Sequence, residues 1–176
     1  MNLKEEVEKC KLCGLYKTRN KIVLGEGNMK SKVMFVAEAP GETNDKMGRP
    51  FVGYTGSLFN NILKKCGLKR EEIFVTNVMK CWTQNRTPKK GEIEKCMRYL
   101  NKEIKMVNPE IIIALGKVAS ESLTNKKINL KVNHGKVEYQ GKIRIIPTFH
   151  PNSIRYMKNG LSQIVNDIKK NIGKNG

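Results

Sequence analysis

The chain has 176 residues, 39% of them hydrophobic, which suits one domain with its own core and argues against wholesale disorder. Lys and Arg number 34 against 16 Asp and Glu, a net charge of +18. Such self-repulsion is relieved by a polyanion, so nucleic acid is the leading partner class, with a Lys-rich compositional bias as the alternative. No apolar run is long enough to cross a bilayer, and the charged start Met1-Asn2-Leu3-Lys4-Glu5-Glu6 lacks the apolar stretch of a signal peptide. The expectation is a cytoplasmic protein with no membrane partner, a monomer by default.

In chain order, residues 32–37 form a short apolar run with β-formers that reads as a buried strand entering a loop at Pro40-Gly41. Over residues 55–66 the period becomes helical: Leu58, Phe59, Ile62 and Leu63 share a face, and Gly67 is a stop signal. Residues 73–78 read as a second buried strand. A polar loop over 82–90 leads to a helix from about 91 to 106, punctuated by Pro109. Residues 110–115 read as a third strand, followed by Gly116 and a helix over 117–123. A hairpin-like region from about 131 to 142 precedes the last core strand, 143–149, and a helix spans about 160–172.

Strands alternating with helices imply an α/β fold. The expected architecture is a three-layer α/β/α sandwich with a central, mainly parallel four-stranded sheet, formed by a single domain over residues 1–176. In such sheets a ligand sits beyond the carboxyl ends of the strands. Three short motifs fall there: Glu38-Ala39-Pro40-Gly41, Asn77 and His150-Pro151.

Five cysteines, an odd number, argue against a disulfide framework. Cys10 and Cys13 form a C-x2-C pair that places two sulfurs on one tight turn. With Cys81 and Cys96 they make four thiolates, the number that zinc or an iron–sulfur cluster needs, and spacing alone does not separate the two. Cys66 ends an amphipathic helix before Gly67 and reads as a small core residue.

Taken together, these segments resemble a known family. Phe35-Val36-Ala37-Glu38-Ala39-Pro40-Gly41-Glu42, Gly48-Arg49-Pro50-Phe51-Val52-Gly53 and Thr76-Asn77-Val78-Met79-Lys80-Cys81 are similar in order and spacing to motifs of the family 4 uracil-DNA glycosylases, enzymes that carry a 4Fe-4S cluster. Asn85-Arg86-Thr87-Pro88, then Glu92, Ile93, Cys96 and Tyr99, then Ala114-Leu115-Gly116 and Thr148-Phe149-His150-Pro151, continue the likeness from Cys10 to about Tyr156. The resemblance implies a monofunctional glycosylase that releases uracil from single- or double-stranded DNA. It implies a structural 4Fe-4S cluster on Cys10, Cys13, Cys81 and Cys96, with Cys66 free.

It also implies roles for particular residues. Asn77 would read uracil, since its amide offers a donor and an acceptor complementary to uracil O4 and N3–H and opposite to cytosine; the alternative is an Asn that merely ends a strand. Phe51 would stack on the base, and is otherwise a core aromatic. His150 would donate to uracil O2 as negative charge develops, whereas His134 is assigned nothing. Glu38 would orient water, hold the uracil edge or stabilise a cationic sugar. Asn44 stands where the family commonly has an acidic residue, and an amide can position water but is a poor base. Ile154 is the candidate wedge for the gap left by a flipped base. Arg86, Lys89, Lys90, Arg155 and Lys158 are candidate phosphate contacts. The rival readings are a superfamily member with another deaminated-base preference, such as hypoxanthine, and a non-catalytic DNA-binding protein with a cluster or zinc.

Overall fold

The computed structural model describes residues 2–173. Met1 and the last three residues of the expected domain lie outside the described residues. Six strands make one sheet: β1 (Glu26–Gly27), β2 (Val33–Ala37), β3 (Phe74–Asn77), β4 (Ile111–Leu115), β5 (Glu138–Gln140) and β6 (Ile143–Thr148), in the order β1-β3-β2-β4-β6-β5. The central four, β3-β2-β4-β6, are parallel throughout. They are the four strands expected from sequence. The short strands β1 and β5 add an antiparallel edge on each side. A two-residue strand is too short to show a period, which is why β1 had no signature in the sequence.

The central strands are continuous apolar runs because both of their faces are covered. In β2, Met34 and Val36 point to one face and Phe35 and Ala37 to the other; in β4, Ile112 and Ala114 oppose Ile111, Ile113 and Leu115. The first face packs under α1 (Leu3–Glu8), α4 (Lys90–Val107) and α5 (Lys117–Thr124), through residues such as Val7, Leu100 and Leu123. The second packs under α3 (Gly53–Cys66) and α7 (Gly160–Ile172), through Phe59, Ile62, Ile164 and Ile168. Burying each of these side chains is worth about 1.5–3 kcal/mol, which is what holds the three layers together.

Helix ends follow local chemistry. Gly67, at φ +73°, closes α3, with Leu68 N–H returning to Leu63 O at 3.0 Å. Asn108, at φ +52°, closes α4 one residue before Pro109. Two short helices, α2 (Glu42–Met47) and α6 (Leu130–Asn133), occupy stretches that read as loop and hairpin in the sequence.

The register sets the functional edge. Ala37 pairs with Asn77, and Leu115 with Thr148, so the parallel strands finish level. Glu38, Val78, Gly116 and Phe149 therefore leave the sheet along one rim.

Candidate active site at the carboxyl edge of the sheet

The loop leaving β2 is held by the loop leaving β3. Val78 N–H donates to Ala37 O at 2.8 Å and Met79 N–H to Glu38 O at 3.0 Å. Glu38 and Asn77 are thereby fixed side by side. Gly41 then opens α2, and its N–H donates to Asn44 Oδ1 at 2.9 Å while Asn44 Nδ2 donates to Arg49 O at 2.9 Å. Both ends of the Asn44 amide thus serve the loop backbone, each with one further hydrogen-bonding valence. Behind it, the buried Asp45 accepts from Asn20 N–H and Asn20 Nδ2, tying α2 to the N-terminal segment.

Phe51 adopts φ +50°, a left-handed conformation rare for a bulky residue. Its ring lies 4.4 Å from that of Phe59, and the Arg70 guanidinium sits 5.7 Å from its centroid. Arg70 also donates to Pro50 O at 3.2 Å and is paired with Glu26, so the strained turn is held from behind. Gly56 on α3 makes this approach possible, because a Cβ there would collide with the Phe51 carbonyl.

His150 follows β6. Its Nδ1 accepts from Asn152 N–H at 3.2 Å, which leaves the proton of a neutral ring on Nε2. Burial pushes the imidazole down to about 4, so the ring is neutral near pH 7. The strand behind it is anchored: Thr148 Oγ1 donates to Asp167 Oδ2 at 2.5 Å, and His134 Nδ1 lies 2.9 Å from the same oxygen. His134, which carried no role in the sequence, belongs to this support.

Glu38, Asn44, Phe51, Asn77, Arg86 and His150 all line one pocket of about 380 Å³, a size typical of small-molecule sites. Burial raises the Glu38 carboxyl above the usual carboxylate range. The Asn77 side chain is buried, and no protein group among the described residues takes its amide. Thr55 and Asn152 close one wall, with Thr55 Oγ1 donating to Asn152 Oδ1 at 2.9 Å. Thr83, Asn85 and Thr87 form the other. Asn85 and Thr87 belong to a motif quoted above, whereas Thr55, Thr83 and Asn152 were given no role there, because short polar side chains in loops have no period.

Not every candidate lies at the pocket. Ile154 is partly buried against the α3–α7 face of the core, and its loop presents Arg155 and Tyr156 outward instead. Tyr156 is 83% exposed and Tyr54 61%, and the Arg155 guanidinium stacks between them, at 5.8 and 5.4 Å from their ring centroids. Arg86 makes a two-pronged pair with Glu92, at 2.9 and 2.7 Å, and so closes the 82–90 loop onto the start of α4.

The cysteines divide by face. Cys10, Cys13, Cys81 and Cys96 line one apolar pocket on the α1–α4 side, with Val7, Leu15 and Met79 among their neighbours. All are free of disulfides. Arg19 Nη1 donates to Cys81 Sγ at 3.4 Å and Lys80 N–H to Cys96 Sγ at 3.3 Å. Among the described residues, no three His, Cys, Asp or Glu side chains converge tightly enough for a single metal ion. Cys66 packs on the opposite face of the sheet.

The sheet is open and mainly parallel, with a polar pocket at its carboxyl rim and four thiols on one flank. The profile of the Uracil DNA glycosylase superfamily covers residues 24–169. The chain belongs to that superfamily. The type-4 uracil-DNA glycosylase of Thermotoga maritima is 42% identical over 171 residues, covering 94% of this chain and 89% of the relative. That of Saccharolobus solfataricus is 43% identical, covering 86% and 75%, and that of Archaeoglobus fulgidus 36%, covering 94% and 87%. Within the superfamily the chain is a member of the type-4 enzymes.

Proposed function

We propose that this chain hydrolyses the N-glycosidic bond of deoxyuridine in DNA, releasing uracil and leaving an abasic site for base excision repair. One observation carries the assignment of roles: Glu38, Phe51, Asn77 and His150, from four separate segments, converge on a single pocket at the sheet's carboxyl edge. The target base must leave the stack to reach it. The Phe51 ring supplies a face for the flipped base. The Asn77 amide donates to O4 and accepts from N3–H, and a base with the opposite pattern leaves these buried groups unsatisfied, at a cost of about 1–3 kcal/mol each.

As the C1′–N1 bond breaks, its electron pair passes to uracil, and the charge that develops on O2 meets the Nε2–H of a neutral His150. Water adds to C1′. Glu38 holds that water and faces the cationic sugar with its carboxylate, and the spare valences of Asn44 supplement it. The water's proton passes to Glu38 or to solvent. No lysine lines the pocket among the described residues, which supports direct hydrolysis rather than a Schiff base.

Cys10, Cys13, Cys81 and Cys96 would hold a 4Fe-4S cluster. Four unpaired thiols spread around an apolar pocket suit a group wider than one ion, and two N–H donors are already aimed at their sulfurs. Bound there, the cluster would cross-link the N-terminal segment, the loop after β3 and α4. DNA, single- or double-stranded, is the partner, approached by the exposed Arg155, Tyr54 and Tyr156 beside the pocket. The exposed Tyr156 fits the wedge role better than the inward-packed Ile154. The reading is that of one domain, working as a monomer in the cytoplasm.

The test is His150→Ala in single-turnover excision from a uracil-containing duplex, with binding to the same DNA measured in parallel. The expected result is excision slowed by about 100-fold or more with binding nearly unchanged. An unchanged rate would overturn the role given to His150.

A further inference from the structure

Lys80 helps to line the four-cysteine pocket, but its buried charge is committed to the strand that ends at Asn77. Lys80 is wholly buried, and its ammonium donates to Asn77 O at 2.6 Å, Thr76 Oγ1 at 2.8 Å and Glu103 Oε2 at 2.6 Å. Its three protons are all taken. Glu103, buried on α4, also accepts from Thr76 Oγ1 at 2.6 Å and, through Oε1, from Gly25 N–H at 2.7 Å. The backbone of Lys80 is equally committed: its N–H donates to Cys96 Sγ and its carbonyl accepts from Val23 N–H at 2.9 Å.

A buried ion pair is a poor device for stability alone, since an apolar pair of similar volume is often as stable. Its geometry is more telling. Asn77 is the last residue of β3 in register with β2, and the peptide that follows it keeps a single tie to that strand, Val78 N–H on Ala37 O at 2.8 Å. The Lys80 ammonium takes that peptide's carbonyl. Fixing this plane fixes the backbone from which the Asn77 amide projects into the pocket.

We propose that Lys80, neutralised by Glu103, is the positioning residue for Asn77, setting the angle at which its amide meets the base. This rests on the uracil-reading role given to Asn77 above. Lys80 touches no substrate; it acts through the Asn77 carbonyl, and its own N–H on Cys96 Sγ makes the same segment the mechanical link to the thiol pocket.

The experiment compares the full-length parent with Lys80→Met/Glu103→Met, which exchanges the ion pair for apolar volume. Single-turnover excision of uracil is followed against enzyme concentration to separate the maximal rate from half-saturation, and Asn77→Ala is placed in both backgrounds. The expected result is a maximal rate reduced by about 10-fold or more, half-saturation within about 2-fold, and no further loss when the Met pair is added to Asn77→Ala, because the pair acts only through Asn77. A maximal rate equal to the parent's, or losses that simply multiply, would overturn the proposal. Should the apolar pair not fold, Thr76→Val, which removes only the bridging hydroxyl, is expected to give the same split at smaller size, and a parental rate there overturns it equally. A parent that itself releases no uracil would overturn the underlying function instead, so the two failures are distinguishable.

Discussion

At the scale of single residues, the site depends on keeping certain groups neutral and others unpaired. His150 is held neutral by burial, with its Nδ1 already occupied by Asn152 N–H. Its folded value, about 4, lies below the ordinary 6.5, so protonation between those limits favours the unfolded chain. Stability is therefore expected to fall as pH drops from about 6.5 towards 4, and the part due to this residue vanishes in His150→Gln; equal acid sensitivity in both proteins would contradict the assignment. Glu38 is the opposite case, a carboxyl raised by burial. If its anion serves the water and the sugar, excision should lose rate on the acid side at a higher pH than an ordinary carboxylate sets. Glu38→Gln should lower the rate and flatten that limb, measured as the pH profile of single-turnover rates. Asn77→Asp replaces a donor–acceptor pair by acceptors alone, and should cut uracil excision by about 100-fold through an unsatisfied contact at O4.

At the scale of elements, the sequence disclosed much and omitted some of what matters. The helices over 55–66 and 160–172 and the four central strands were legible because burial imposes a strong period or an unbroken apolar run. Helix α2 was not, since Glu42 to Met47 has no apolar stripe and is held by Asp45 and the Asn44 side chain instead. The gathering of Glu38, Phe51, Asn77 and His150 was legible because each follows a strand end or belongs to a recognisable motif. The inward turn of Ile154 and the capture of Arg86 by Glu92 were not, because they depend on tertiary neighbours. That last pair makes a prediction of its own. Arg86 holds the Glu92 carboxyl down to about 2, so its contribution to stability is present above the ordinary value of 4.5 and is lost as pH falls through about 2. Arg86 is well exposed, so solvent screening limits the effect. Glu92→Gln should cost about 1 kcal/mol at neutral pH in chemical denaturation, shrinking as pH falls below 4.5. A pH-independent cost would mean the pair does not act as charges. Gly56→Ala should cost about 1–3 kcal/mol, because the methyl meets the Phe51 carbonyl.

For the molecule as a whole, a charge of +18 is the broadest clue and the least specific. Among the described residues none of its lysines lines the pocket, and several surface cations are paired, as Arg49 is with Glu26 and Lys126 with Glu138. Lys89, Arg155 and Lys158 have no ion pair among the described residues and lie two to six residues along the chain from the pocket-lining Thr87 and Asn152. Replacing all three by Gln should flatten the slope of log binding constant against log salt by about 2–3, with little change in the choice of base. The cysteine flank would be a second whole-molecule device, since a bound cluster would tie the N-terminal segment, the loop after β3 and α4 together. On the proposed function, the rim pocket both reads and releases uracil. This is tested most directly by incubating the protein with oligonucleotides carrying one uracil, hypoxanthine or thymine at the same position, and identifying the free base by mass. Free uracil and an alkali-labile site are expected from the first alone. Release of hypoxanthine without uracil, or intact DNA despite measurable binding, would contradict the proposed function.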